Sequence, residues 1–321
     1  MKTNLNDVKN RILPIQESAL KGLEDEIKIT DFEILKSLGR NTFLVRHKDK
    51  KTEFFLKAID KNDINHNQID EYFNKKLEIL YKINHPNIVK LFTNFEDNNY
   101  CYFLLEYSPK GNLYLIFPED KKKRIGKKFC ASMIKDVISG IYYLHNMNPP
   151  FIYKNISCEN IIVFNNLTLK LSNLIFLKNE NMRKNLIISK NNIYLSPEYL
   201  KEKKFDKSFD IWGIGILLFE LVTGYLPFTE NNYDDLLNEN NELNIKWTKD
   251  IYPDAKDLIA KILKINPEER LSLEEMIKHP FINQFFPESD KILIKPEENI
   301  KYKPFVISKD DPVIWKHEKN L

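Results

Sequence analysis

The sequence predicts an α+β protein made of two unlike parts, a strand-rich first third and a mostly helical remainder. Three observations lead there. Short apolar runs bounded by turn residues fill the stretch from Asp31 to Tyr107, with one helical spacing among them. After the turn cluster Ser108-Pro109-Lys110-Gly111 the apolar period lengthens to that of helices. The chain has 321 residues, too many for one small core. Strands first and helices afterwards mark layers that are segregated rather than alternating.

The elements follow in order. Residues 1–29 read as a polar N-terminal extension with spaced apolar positions, interrupted at Pro14. Residues 30–107 form the first part. Strands are expected at Phe32 to Leu38, Phe43 to His47, Glu53 to Ile59, Val89 to Phe95 and Tyr100 to Tyr107. Between them, Ile69, Phe73, Leu77 and Leu80 give Asn67 to Ile83 a helical spacing. Residues 108–285 form the second part. Met133, Ile134, Val137, Ile141 and Leu144 share one face of a helix from Phe129 to His145. Short strands follow at Ile161 to Phe164 and Thr168 to Ser172, then helices at Ser208 to Thr223, Asp254 to Lys264 and Leu273 to His279. Residues 286–321 carry repeated prolines and read as an extended tail, yet an apolar load there predicts docking on the domain or on a partner.

Composition narrows the function classes. Hydrophobic residues at 42% and charged residues at 30% fit a soluble globular protein. A formal net charge of +3 argues against a dedicated nucleic-acid surface. Cys101, Cys130 and Cys158 lie far apart with no metal-binding spacing, which points to a reducing cytoplasmic or nuclear compartment. The opening residues lack the apolar stretch of a secretory signal. The longest apolar run, Ile211 to Phe219, is far below the roughly 20 residues of a membrane span, so no membrane partner is expected. Lys121-Lys122-Lys123-Arg124 with Lys127-Lys128 reads as a solvated loop, a nuclear-localisation signal or a patch for an acidic partner.

An ordered set of short strings resembles the Ser/Thr protein kinase fold over about Thr30 to Phe285. It runs from Phe54-Phe55-Leu56-Lys57 through His85-Pro86-Asn87-Ile88-Val89 and Leu105-Glu106-Tyr107 to Tyr143-Leu144-His145. It continues with Ile152 to Asn160, Ser196-Pro197-Glu198, Asp210-Ile-Trp212-Gly-Ile-Gly215, Pro227-Phe228 and Arg270. The flavour is similar to Aurora and related kinases. The resemblance implies a bilobal fold, with a small β-rich N-lobe carrying one main helix and a larger helical C-lobe. It also implies structural roles for Glu198 paired with Arg270, and for Asp210 beneath the catalytic loop.

The catalytic positions depart from the family pattern. Of the glycine-rich loop only Gly39 remains before Val45, and the spacing from Gly39 to Lys57 is shorter than the family's usual low twenties. Lys57 stands where the ATP-contacting lysine belongs. Phe55 occupies the small-residue position beneath adenine, over Ile162 and beside Leu105. The helix glutamate expected about nineteen residues after Lys57 is Lys76. Asn155 replaces the catalytic aspartate, and an amide cannot take up a hydroxyl proton as a carboxylate does. Tyr153 and Lys154 replace the preceding histidine and arginine. Asn160 remains as the metal-binding asparagine. The metal-binding triplet is Asn173-Leu174-Ile175, whose first residue offers a neutral oxygen where magnesium takes a carboxylate. Lys57, Lys76, Asn155 and Asn173 together carry +2, against −2 in an active kinase.

These substitutions predict a pseudokinase acting as scaffold or allosteric regulator of protein partners, with an active kinase or a second copy as candidates. The alternatives are an ATP-sensing pseudokinase without turnover and a divergent Ser/Thr kinase with residual activity. No cofactor is expected to be required. Weak ATP binding is expected at most, through Gly39, Val45, Lys57, Leu105, Glu106, Tyr107 and Ile162. Magnesium is expected to bind weakly at Asn160 and Asn173.

Overall fold

The computed structural model describes residues 27–39, 41–61, 77–116, 125–174, 194–203, 205–228 and 243–296. They belong to two compact units. The first contains residues up to Ile83 together with Lys90–Tyr107; the second contains Asn84–Val89 and the chain from Ser108 to Asn299.

The first unit is a five-stranded antiparallel sheet in the order β1-β2-β3-β5-β4. Its strands are β1 (Phe32–Gly39), β2 (Thr42–His47), β3 (Glu53–Asp60), β4 (Leu91–Glu96) and β5 (Tyr100–Leu105). Alternation in β3 sends Phe54, Leu56 and Ala58 to one face, where they are buried with Val45, Phe95 and Leu104. Aromatic rings complete this core: Phe32 stacks on Phe95 at 5.9 Å between centroids and meets Phe54 edge-on at 6.3 Å. Ile27 and Ile29, which the sequence assigns to the N-terminal extension, are buried in the same core. The expected fourth strand begins two residues later, at Leu91, because the Val89 N–H donates instead to the Leu171 carbonyl of the second unit's own strand pair. Of the helix expected at Asn67 to Ile83, residues 77–82 are described and helical, and the Asn94 N–H donates to the Tyr81 hydroxyl at 2.8 Å. Lys76 lies outside the described residues.

The second unit is helical around a two-stranded ribbon, β6 (Ile161–Val163) with β7 (Leu169–Leu171). Its long helices are α1 (Lys127–His145) and α3 (Lys207–Thr223), with α2 (Pro197–Glu202) between them. Helix α3 is apolar on nearly every face and buries Trp212, Ile214, Ile216, Leu217, Leu218 and Phe219, as a helix at the centre of a domain does. The Asp206 carboxylate caps its start by accepting from Ser208 N at 2.8 Å. Its end turns on Gly224 at φ +76°, the left-handed conformation a glycine enters without strain. Helices α4 (Pro253–Ile262), α5 (Leu273–Lys278) and α6 (Pro280–Asn283) follow, α5 opening on a Ser272–Glu275 capping box. Helix α2 carries no signal in the sequence: its six residues show no apolar period, and the start is set by Ser196 accepting from Tyr199 N. The α+β class with an antiparallel sheet followed by helices agrees with the sequence reading.

Candidate active site

The first group of functional side chains lies on the sheet. Strand alternation puts Phe55 and Lys57 on the face opposite the core, with Phe55 paired to Leu44 and Leu105 and Lys57 to Thr42 and Phe103. This register corrects one expectation. Val45 pairs with Phe54 and is fully buried in the core, so the aliphatic side chain sharing a face with Lys57 is Leu44. A one-residue offset in a strand moves every side chain to the other face, and counting β2–β3 pairs back from Lys57 finds it. The ring of Phe55 meets that of Tyr107 edge-on, 4.9 Å between centroids. Glu106 is buried, its N–H donating to the Lys90 carbonyl at 2.9 Å while its carboxylate accepts from Lys90 N at 3.2 Å. Gly39 has φ +85°, a conformation a side chain there would resist.

The second group lies in the loop between α1 and β6. Asp210, at the start of α3 and 1% exposed, accepts from Tyr153 N at 2.8 Å and Lys154 N at 2.7 Å. His145 Nε2 lies 2.8 Å from the same carboxylate. This grip holds Lys154 at φ +60° and aims its ammonium at the Phe205 ring, 4.4 Å from the centroid. The Tyr153 hydroxyl donates to the Ser172 carbonyl at 2.7 Å and lies 3.1 Å from that of Asn160. Burial first, and then the Asp210 charge, push the Tyr153 phenol far above its ordinary range, so it remains a donor.

Three carboxamides form a chain, Asn155 and Asn160 in this loop and Asn173 just after β7. Asn160 Nδ2 donates to Asn155 Oδ1 at 2.8 Å and is 2.9 Å from Ser157 Oγ. Asn173 Nδ2 donates in turn to Asn160 Oδ1 at 3.3 Å. Asn173 sits at φ +58°, in the left-handed region that asparagine tolerates better than most residues. Leu174 is buried, Ile162 is half-buried in β6, and Ile175 lies outside the described residues.

Two further clusters join distant segments of the second unit. Arg270 grips Glu198 with two nitrogens at 2.8 and 2.6 Å, and also reaches the carbonyls of Ser208 and Lys264. Cys158 Sγ donates to Glu220 Oε2 at 3.3 Å, and the Tyr194 hydroxyl donates to the same oxygen. Sequence reasoning missed this second cluster, because its members come from three distant segments with no shared spacing.

The protein kinase domain family matches residues 32–282. The chain belongs to the protein kinase family. It is 33% identical over 267 residues to an Aurora kinase of Saccharomyces cerevisiae, covering 80% of this chain and 70% of that protein. It is 31% identical over 264 residues to an Aurora kinase of Yarrowia lipolytica, covering 81% and 70%. With mouse Aurora kinase C it shares 29% over 260 residues, 80% of this chain and 93% of that one.

These matches correct the expectation of a pseudokinase scaffold: relatives that align across four-fifths of the chain are named as kinases, so a divergent Ser/Thr kinase fits better. Loss of charged groups is not by itself loss of activity. Phosphoryl transfer depends first on positioning, and Asp210, Glu198 and Arg270 hold the scaffold together as the resemblance implies. Membership of the family implies use of ATP and Mg²⁺, so the expectation that no cofactor is required has no support. The residues themselves fit Mg²⁺ poorly. Asn155, Asn160 and Asn173 offer neutral amide oxygens, whereas a protein-held magnesium ion takes carboxylates.

Proposed function

We propose that this chain is a divergent Ser/Thr protein kinase domain that transfers the γ-phosphoryl group of ATP to protein hydroxyls at a low rate. The observation that carries this reading is the match to kinases along the whole domain, together with the grip of Asp210 on the Tyr153 and Lys154 amides. In this reading Lys57 contacts the nucleotide phosphates. Leu44, Phe55 and Leu105 line the base, and the backbone of Glu106 and Tyr107 supplies polar contacts. Asn155 accepts a hydrogen bond from the attacking hydroxyl and orients it. The bond between the hydroxyl oxygen and the γ-phosphorus forms as the bond to the β–γ bridging oxygen breaks, and ADP leaves. The hydroxyl proton passes to water or to a phosphoryl oxygen, because an amide does not take it up.

The loose transition state of phosphoryl transfer keeps such a reaction accessible without a base. Losing the base costs about 10²–10⁴ in rate, against kinase turnover of about 1–100 s⁻¹. Three free buried cysteines fit a reducing cytoplasmic or nuclear setting. Among the described residues no helix is long and apolar enough to cross a membrane.

Incorporation of radiolabelled phosphate from ATP into Ser/Thr peptides tests the proposal. The parent is expected to show slow transfer that Lys57→Ala abolishes, and Asn155→Asp to raise the rate by about 10²-fold or more. Equal background from the parent and from Lys57→Ala would overturn it.

A further inference from the structure

We propose that this kinase domain takes its nucleoside triphosphate free of divalent metal, with the carboxamide chain Asn155–Asn160–Asn173 standing where the family holds magnesium. The inference rests on the kinase reading above and adds the form of the nucleotide. Magnesium demands near-octahedral oxygen ligands, dehydrates reluctantly and favours carboxylates. None of the three side chains offers one, and two of the three amide oxygens already accept a hydrogen bond within the chain. Asn160 Oδ1 accepts from Asn173 Nδ2 at 3.3 Å, and Asn155 Oδ1 accepts from Asn160 Nδ2 at 2.8 Å.

The chain is also fixed in place. The Asn160 carbonyl accepts from Ser172 N at 2.9 Å and from Ser172 Oγ at 2.7 Å. Turning Asn160 to present its oxygen to a cation would break the bond from Asn173. The neighbouring carboxylates are committed elsewhere: Asp210 to Tyr153 N, Lys154 N and His145, and Glu220 to Cys158 and Tyr194. Glu159, beside Asn160 in sequence, is exposed. Among the described residues no group of three or more acidic, histidine or cysteine side chains is placed to hold a metal ion. Amide N–H groups, by contrast, donate directly to phosphate oxygens without a metal between them.

Calorimetry of the full chain with ATP, first in EDTA and then in excess MgCl₂, tests this. The parent is expected to bind ATP in EDTA with a Kd within about threefold of its value in magnesium. Asn173→Asp, checked for a native circular-dichroism spectrum, is expected to bind at least tenfold more tightly with magnesium than without. ATP binding by the parent only when magnesium is present overturns the inference and leaves the kinase reading standing. No ATP binding in either condition overturns both. The comparison on the parent needs no variant, so a folding defect in Asn173→Asp does not protect the proposal.

Discussion

Arg270 and Glu198 carry the clearest single-residue consequence. Arg270 is buried, and its guanidinium is fully satisfied by Glu198 and by backbone carbonyls. Burial alone would raise the Glu198 carboxyl, but the Arg270 hydrogen bonds and charge outweigh it and hold the pKa below the ordinary glutamate range. A depressed carboxyl stabilises the fold fully above its unfolded value, and that contribution is lost as pH falls through the lower folded value. Chemical denaturation across acid pH is therefore expected to show a loss of stability, below about pH 4.3, that Glu198→Gln flattens. Arg270→Ala, which leaves the half-buried carboxylate without its partner, is expected to destabilise by about 3 kcal/mol, the low end for a buried pair. Stability curves of parent and Glu198→Gln that run parallel through the acid range would show that this pair carries no such linkage.

Helix α3 shows an element whose tertiary setting outweighs its local preference. Gly215 lies in its interior, where alanine would be favoured by up to about 1 kcal/mol on helix propensity. A Cβ at that position would fall 2.7 Å from Ile262 Cγ2 and 2.7 Å from Leu263 Cδ2, at the contact between α3 and the end of α4. The β-branched Ile262 has little freedom to move away. Gly215→Ala is expected to destabilise by about 1–3 kcal/mol through overpacking, read from urea unfolding midpoints. A stabilised variant would mean that α4 shifts without cost. In β3 the sequence alternation is obeyed throughout, and what the tertiary register adds is which β2 residue accompanies it: Leu44 rather than Val45.

In the molecule as a whole, the segment after α6 belongs to the second unit rather than trailing from it. Gln284 Nε2 donates to Asp254 Oδ2 at 2.7 Å, and Lys127 pairs with the same oxygen at 2.6 Å. The rings of Phe285 and Phe286 receive the Lys127 and Lys135 ammonium groups at 5.8 and 5.4 Å. Ser139 Oγ on α1 donates to the Ile292 carbonyl at 2.9 Å. Residues 284–292 thus rest on α1 and α4, and the residues from 297 onward lie outside the described ones. The triple variant Ser139→Ala, Phe285→Ala, Phe286→Ala is expected to lower Tm by about 2–8 °C, at roughly 2–4 °C per kcal/mol for a domain this size. An unchanged Tm by scanning calorimetry would show that the strap adds nothing to stability.

The sequence alone determined the fold class and the order of strands and helices. Apolar period and the order of motifs are local properties, and both are written in the chain. Only the tertiary structure decided which atoms meet. It joined Asn155, Asn160 and Asn173 into one hydrogen-bonded chain and brought Cys158 and Tyr194 to Glu220. It also turned Val45 into the core and seated Phe285 and Phe286 over lysines of α1. Function was misread for the same reason. The residue types at the catalytic positions are plain in the sequence, but their worth depends on how the backbone holds them, and that is set by contacts such as those of Asp210 across 57 residues of chain.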